Sequence, residues 1–181
     1  SVTSIGDYAF FQASALTYIT VNQPNTDYKD NDGVLFNKDE TTLIQYPIDN
    51  TRTTYTIPEG VISIGNDAFR SASALTSITI PASVESIGDY AFHSASALTT
   101  ITFDAHSSLT SIGTNAFYHA SSLTSITIPA SVTSIGERAF YKSGFTSITI
   151  PASVTSIGTR AFQSASALTS ITIPEGVTSI G

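Results

Sequence analysis

The chain has 181 residues, of which 12% are charged and none is Cys, and fourteen Asp and Glu against seven Lys and Arg give a net charge of −7. This charge argues against nucleic acid and acidic membrane surfaces as partners, because both require a cationic face. The absence of Cys excludes a disulfide framework and Cys-ligated zinc. No run of residues approaches the roughly 20 apolar positions that span a bilayer, so we predict no direct membrane insertion.

One unit, LTSITIPASVTSIGERAF at 123–140, recurs with small changes along the chain. Its glycine returns at spacings of 59, 23, 25, 23, 22 and 23 residues, at Gly6, Gly65, Gly88, Gly113, Gly136, Gly158 and Gly181. A period of 23 residues is typical of a solenoid. Because one unit cannot bury its own apolar face, the repeats must stack, and we predict a single solenoid domain over residues 1–181.

The pattern within each repeat predicts a short helical turn followed by a strand. Apolar residues follow a helical spacing from Ala68 to Leu75, and from Leu75 to Pro81 they alternate with Ser or Thr, as in a strand with one buried face. Pro81 ends the strand because it has no N–H to donate, and a second extended piece runs from Val84 to Ile87. The predicted fold class is α/β, a solenoid with a parallel sheet and short helical turns.

A long excursion at about 22–55 interrupts the repeats and holds six of the fourteen acidic residues. Within it, GVLF at 33–36 and TTLIQYP at 41–47 flank the turn-forming NKDE, which predicts an inserted β-hairpin. A hairpin is too small to fold alone, so we expect it to lie against or extend the sheet. Further along, FDAHSSL at 103–109 adds two residues to its repeat and predicts a longer corner loop.

The pattern IxIPxxVxxIGxxAFxxAxxLTxI resembles the BspA-like, or Treponema-type, leucine-rich repeats of bacterial and protozoan surface proteins. DGVLFNKDETTLIQYP at 32–47 is similar to an insert that recurs in that family. The resemblance implies a right-handed solenoid at an extracellular or cell-surface location. It also implies adhesion to matrix proteins such as fibronectin and fibrinogen, without ligand residues common to the family. Where members often carry Cys in the helical turn, this chain has Ala or, in one repeat, Ser143.

The outward positions of the predicted strands form two columns rich in Ser and Thr. Leucine-rich repeat proteins generally bind on the concave sheet, so these columns are the candidate ligand-binding residues: Tyr18, Thr20, Ser77, Thr79, Thr100, Thr102, Ser125, Thr127, Ser147, Thr149, Ser170 and Thr172. The structural alternative is that Thr suits strand surfaces through its β-branch. Regular outward Thr also resembles ice-binding solenoids, although the first column here is mostly Ser.

We predict a non-enzymatic extracellular module that recognises a host or matrix protein through the concave face and needs no cofactor. The alternative is a structural spacer that displays other domains and has no ligand of its own. A carbohydrate-acting enzyme is disfavoured because no pair of carboxylates occupies matching, convergent repeat positions. Neither terminus carries a recognisable polar cap, so we expect flanking repeats or end-to-end self-association.

Three smaller constellations have chemical interpretations that we weigh against solvated loops. DYKDNDG at 27–33 copies part of a calcium loop, but Tyr28 stands where an oxygen ligand is needed, and a turn explains the sequence as well. Asp104, His106 and Ser108 have the residue types of a hydrolase triad crowded into one loop. His93 and His119 occupy different repeat positions and form no ligand pair. We therefore predict no metal site and no catalytic residues.

Overall fold

The computed structural model describes residues 1–6 and 8–181, and these residues form fourteen short strands and no helix. The chain is thus a β-solenoid in which the strands begin in the insert, and each coil after it contributes one or two strands. The strands are β1 (Tyr28–Asn31), β2 (Val34–Asn37), β3 (Thr42–Gln45), β4 (Thr54–Thr56), β5 (Ser63–Ile64), β6 (Ser77–Ile80), β7 (Ser86–Ile87), β8 (Thr100–Phe103), β9 (Ser111–Ile112), β10 (Ser134–Ile135), β11 (Ser147–Thr149), β12 (Ser156–Ile157), β13 (Ser170–Thr172) and β14 (Ser179–Ile180).

The longest sheet is built from the second extended piece of each repeat. Its strand order is β1-β2-β3-β5-β7-β9-β10-β12-β14, and from β3 onward neighbouring strands are parallel. Equivalent residues pair across coils, as Ser63 with Ser86 and Ser86 with Ser111. The period read from the glycines is therefore the number of residues in one coil.

The main strand of each repeat forms a second surface, and it is interrupted. β4, β6 and β8 make one parallel sheet and β11 pairs with β13, whereas residues 123–128 between them form no strand. The coil before the interruption carries the two extra residues near 103–109. The parallel sheet predicted for this surface is in fact two sheets, although the long sheet keeps its register past the same corner, with Ser86 paired to Ser111.

The predicted helical turns are wrong. The turn segment, defined as the residues from each repeat glycine to the following leucine position, consists of tight turns with left-handed residues such as Asp67 (φ 57°) and Ser71 (φ 56°). Alternate N–H groups donate within the coil, as Arg70 to the Asp67 carbonyl, and to the next coil, as Phe69 to the Ala91 carbonyl. Helical i, i+3 spacing persists because each turn spans three residues, but half of the N–H groups are used between coils.

The core is one continuous column of apolar layers running through the stack. The phenylalanines of the turn segments stack nearly parallel, with ring centroids 4.9 Å apart for Phe69 and Phe92 and 5.0 Å for Phe92 and Phe117. Phe117 and Phe140 follow at 5.5 Å. These four rings are fully buried, and each fills the space between the coils above and below.

The excursion takes the place of a coil instead of projecting from the stack. The predicted hairpin is confirmed as β2 and β3, with β1 as an additional strand that the sequence did not indicate. β3 pairs in parallel with β5, so the hairpin extends the long sheet as expected. Tyr46 supplies the aromatic ring that caps the phenylalanine column, 5.1 Å from Phe69, and its N–H donates to the Ala68 carbonyl.

Glycine marks each repeat because the coils approach one another closely there. A Cβ at Gly136 would lie 2.5 Å from the Gly113 carbonyl carbon, and one at Gly113 would lie 2.6 Å from the Gly88 carbonyl carbon. Such contacts are too short for any side chain, so the glycine is a packing requirement. The side chains that follow also join coils, since the Asn66 carboxamide oxygen accepts the N–H of Asp89 at 2.9 Å.

Candidate functional site

The candidate site is the strand face, defined as the outward Ser and Thr residues of β4, β6, β8, the 123–128 stretch, β11 and β13. β6 and β8 pair Ser77 with Thr100 and Thr79 with Thr102, so the two predicted columns run in register there. The same register joins Ser147 to Ser170. Residues from Thr100 onward in both columns are exposed, and the residues of β6 are half-buried.

The hydroxyl groups of the strand face lack protein partners. Among the described residues, the only hydrogen bond within the protein that these hydroxyls make joins Thr99 and Thr100, at 3.4 Å. The preceding threonines behave differently: the hydroxyl of Thr76 donates to the Thr53 carbonyl at 2.9 Å and that of Thr99 to the Thr76 carbonyl at 3.0 Å. The fold therefore separates hydroxyls that join coils from hydroxyls that remain free to bind.

A second ladder of threonines beside the long sheet also stabilises the stack. Thr133 donates its hydroxyl to the Thr110 carbonyl at 3.1 Å, and Thr155 donates to the Thr133 carbonyl at 3.2 Å. Sequence reasoning left these threonines out of the two outward columns but assigned them no role. The signal that identifies them is position, since each ladder threonine directly follows the Leu or Val of its repeat, as in LTS and VTS.

The first members of the predicted columns lie apart from the rest. The segment containing Tyr18 and Thr20 contacts the hairpin turn, where the N–H of Ile19 donates to the Gly33 carbonyl at 3.0 Å. In their place, β4 pairs Thr54 with Ser77 and Thr56 with Thr79. Thr54 and Thr56 were missed as column residues, although TYTIP at 54–58 repeats the strand pattern and provided the signal.

The interruption at 123–128 divides the strand face into two patches. Ser125 and Thr127 are exposed like their neighbours, but their backbone does not form the ladder that β8 offers. Ile101 and Ile126 behind this point are 9% and 8% exposed, whereas Ile78 is fully buried. The face is therefore not the unbroken regular array that an ice-binding surface would present.

A column of planar side chains lies on the opposite side of each coil, one residue after each core phenylalanine. His93 stacks on Tyr118 with centroids 4.7 Å apart, and Tyr118 stacks on Tyr141 at 4.5 Å. The guanidinium of Arg70 continues the column over Phe11 at 4.7 Å. Burial, reinforced by the charge of Arg70, lowers the pKa of His93 to about 4.

The stacked rings present their edges to solvent, because their faces are covered by one another. Tyr90, Tyr118 and Tyr141 all make ring contacts with neighbouring side chains. The column consequently adds to the stability of the stack.

Four of the six acidic residues of the insert have side-chain partners within the protein. The Asp30 carboxylate accepts the N–H of Val21 at 2.7 Å, and the Asp32 carboxylate pairs with Arg52 at 2.6 Å. Asp32 and Gly33, with φ of 50° and 81°, form the two-residue turn between β1 and β2. The hairpin turn thus accounts for the sequence that resembled a calcium loop, and no cluster of metal-ligating side chains occurs among the described residues.

The residues with hydrolase-triad chemistry form a solvated corner loop. The Asp104 carboxylate accepts the His106 N–H at 2.8 Å, which is a local turn contact. The His106 side chain is 93% exposed, and no contact joins it to Ser108. His93 lies on the planar column and His119 lies beside it, and the two imidazoles do not converge on a common point.

Comparison with known proteins identifies the repeat. The chain matches the profile of the family described as BspA type leucine rich repeat region, in six copies over residues 1–45, 48–107 and 98–181. No curated protein resembles it significantly. Across 1–6 and 8–181, no helix is long and apolar enough to cross a membrane.

Several solved structures are similar to the chain. A leucine-rich cell surface protein from Faecalibacterium prausnitzii is 37% identical, with a TM-score of 0.85 over 94% of this chain. The pneumococcal vaccine antigen PcpA is 26% identical, with a TM-score of 0.76 over 89% of the chain. A leucine-rich repeat protein from Treponema pallidum, 24% identical with a TM-score of 0.69 over 86% of the chain, shares the fold over 72% of its own length.

The chain spans less than half of the first two of these structures, 45% and 44% of their lengths. The similarity therefore concerns the repeat region. Because the family profile covers nearly the whole sequence and the 37% identical structure extends over almost all of it, the chain belongs to the BspA type leucine-rich repeat family.

Proposed function

We propose that the chain is a non-enzymatic, extracellular recognition module that binds a host or matrix protein through its strand face. The observation that carries the proposal is the contrast between two sets of hydroxyls in the same repeats. The hydroxyls of ladder threonines such as Thr76 are hydrogen-bonded to the previous coil, whereas those of strand-face residues such as Thr79 and Thr102 have no partner among the described residues. Exposed hydroxyls at coil spacing can serve a polar protein surface as both donors and acceptors.

Charge and location support the same proposal. The strand face carries no charged residue, so its binding depends on hydrogen bonds and shape, and we expect affinity to change little with ionic strength. The Faecalibacterium relative is described as a cell surface protein and the pneumococcal one as a vaccine antigen. A surface location for this chain agrees with both descriptions and with adhesion as its role.

The test is binding to a panel of immobilised matrix proteins that includes fibronectin and fibrinogen. The variant carries Thr79→Lys, Thr127→Lys and Thr172→Lys, which places three charges on the strand face. The matched control carries Ser96→Lys, Ser121→Lys and Ser166→Lys, because these serines are exposed on the turn segments and add the same charge.

Saturable binding that the strand-face variant loses and the control retains would support recognition at this face. Loss of at least tenfold in affinity is expected, since a buried unpaired charge costs about 1.4 kcal/mol or more. Equal binding by both variants, or binding by neither parent nor variants, would overturn the proposal. The second result would favour the spacer, which needs no ligand.

We further propose that the apolar edge of the last coil makes end-to-end contacts. Ile171, Ile173 and Ile180 face the position of a following coil and are 37%, 42% and 62% exposed. A coil of the same repeat, in flanking sequence or in a second copy, matches this edge in shape and strand spacing. Light scattering should show mass rising with concentration, and Ile171→Lys should prevent the rise. A concentration-independent monomer would contradict self-association.

A further inference from the structure

A groove separates the first coil, residues 1–21, from the coils that follow. It arises because the insert, and not the first coil, stacks on the next turn segment. The groove has a volume of about 630 Å³. Its apolar wall contains Tyr8, Phe10 and Phe11, its floor contains Ile44 and Ile48, and its polar wall comprises Asn66, Asp67, Arg70 and Ser71.

Backbone groups that join coils elsewhere are left open in this groove. In each of the four following coil pairs, three N–H groups of one turn segment donate to carbonyls of the next at 2.7 to 3.1 Å. Ser71 is one such donor, to the His93 carbonyl, and Gln12 is its equivalent in the first coil. Within the described part of the chain, the Gln12 N–H has no acceptor, and the carbonyls of Asn66 and Arg70 have no donor.

The insert satisfies only the middle position of this ladder. The Ala68 carbonyl accepts the N–H of Tyr46 at 2.8 Å, which leaves the carbonyls of Asn66 and Arg70 open on either side of it. The open positions face solvent, which hydrates them in the free protein. A ligand that replaces this water must supply both donors and acceptors along a line, and a polypeptide backbone does so at every residue.

The side chains around these backbone groups define the rest of the ligand. Tyr8 and Phe11 are 56% and 48% exposed, so apolar ligand side chains have aromatic surface to cover. Arg70 is neutralised by Asp67 at 2.7 Å and lies over the ring of Phe11. These are the charged groups of the described lining, and they balance, whereas the whole chain carries −7.

We propose that this groove binds an extended peptide segment of a partner protein by completing the open backbone ladder. The segment presents apolar side chains at alternate positions to Tyr8 and Phe11, and its flanks are basic, because the negative chain attracts cationic flanks and repels acidic ones. The site is separate from the strand face. A test of this site is therefore independent of a test of the function proposed above.

The first experiment measures binding of three acetylated and amidated peptides, KVTVTVK, KLSLSLK and KFTFTFK, to the intact chain by calorimetry. Companion peptides carry Glu in place of both Lys residues, and others are N-methylated at alternate amides. We expect saturable binding by at least one Lys-flanked peptide, weakened about tenfold or more by N-methylation, because backbone hydrogen bonds are lost. Binding by none of the three, or equal binding after N-methylation, would overturn the proposal.

Two variants locate the site. Ser14 lines the groove, so Ser14→Trp places an indole in it and should reduce affinity about tenfold or more. Ser121 occupies the same repeat position in the third coil after the insert and is exposed, so Ser121→Trp is the matched control and should bind like the parent. Equal affinity of both variants would contradict binding in this groove.

Amide hydrogen exchange supplies a readout that does not depend on any substitution. The N–H of Gln12 should exchange rapidly in the free chain and slow at least tenfold with bound peptide, because it gains an acceptor. The N–H of Ser71 is already bonded to the next coil and should exchange slowly in both states. An unchanged Gln12 rate at saturating peptide would exclude the backbone pairing.

Discussion

The first coil and the stacked coils carry the same repeat but use it differently. Phe117 is fully buried between two parallel rings, whereas Phe10, at the same repeat position, remains partly exposed. A Cβ on Gly136 would collide with the coil before it, and a Cβ on Gly6 would meet nothing within 4 Å. A repeat therefore stabilises the chain through its contacts with neighbouring repeats, as expected when the interfaces between repeats supply much of the folding free energy.

The largest predicted effect comes from removing a ring of the phenylalanine column. Phe117→Ala leaves a cavity between Phe92 and Phe140 and should lower the free energy of unfolding by about 3–5 kcal/mol. Phe10→Ala removes a ring that has no stacked partner on the described chain and should cost about 1 kcal/mol or less. Urea unfolding followed by circular dichroism measures both. Equal costs would mean that the first coil is packed as tightly as the others.

The next effect concerns glycine at the point of closest approach. Gly136→Ala forces a methyl group to within 2.5 Å of the Gly113 carbonyl carbon, and such overpacking costs about 1–3 kcal/mol. Gly6→Ala has free space and should change stability by about 0.5 kcal/mol or less. Thermal unfolding of the two variants compares them. A destabilised Gly6→Ala would show that the first coil approaches the stack in solution.

Much of this architecture could be predicted from the sequence. Coils that stack identical side chains need the same residue type at the same position of each repeat, and this regularity is visible in the sequence. The period, the buried Phe and Ile columns and the hairpin follow from the glycine spacing and from NKDE between two apolar runs. The hydroxyl columns were located as well, except at the first coil. There, the insert places Thr54 and Thr56 in the positions assigned to Tyr18 and Thr20.

The turn segments were mispredicted for a physical reason. Ser71 and Asp67 are left-handed without being glycine, so the sequence carries no conventional sign of the turn. Their spacing imitates a helix, while the N–H groups bond to a neighbouring coil that is 22 or more residues away in sequence. The interruption at 123–128 was likewise invisible, since LTSITI at 123–128 is identical to LTSITI at 75–80, which contains β6.

Lower pH should weaken the stack through His93. The ring is held neutral in the folded chain, with a pKa of about 4 against an ordinary value of 6.5, mainly by burial and then by Arg70. Between these values the unfolded chain binds more protons than the folded chain, so stability falls as pH drops from about 6.5 toward 4 and is level above 6.5. His93→Phe preserves the stacking on Tyr118 and should flatten this part of the profile.

The control for the pH effect is His106→Gln, because His106 lies in the solvated corner with a side chain that is 93% exposed. Chemical unfolding at several pH values measures the profile of each protein. Carboxylates that titrate near pH 4 affect the parent and both variants equally, so their contribution cancels when the free energies of unfolding are subtracted. If His106→Gln flattened the profile as His93→Phe does, the planar column would not be the source of the pH dependence.

The smallest predicted effect is a gain. The turn segment that ends at Phe145 carries Ser143 where the other coils have Ala, and the Ser143 hydroxyl is buried with no partner in the described part of the chain. Ser143→Ala should raise the free energy of unfolding by about 1 kcal/mol, because an unsatisfied buried hydroxyl retains its desolvation cost.

The matched control for this gain has the opposite expected sign. The hydroxyl of Ser83 donates to the Val61 carbonyl at 2.8 Å, so Ser83→Ala should lower the free energy of unfolding by about 1 kcal/mol. Urea midpoints at constant m value compare the two substitutions, which remove the same atom from the same residue type. If both variants were destabilised, a bound water would have to satisfy the Ser143 hydroxyl. The stack would then accommodate a polar atom in its core only with a bound water, and serine at this repeat position would not destabilise the fold.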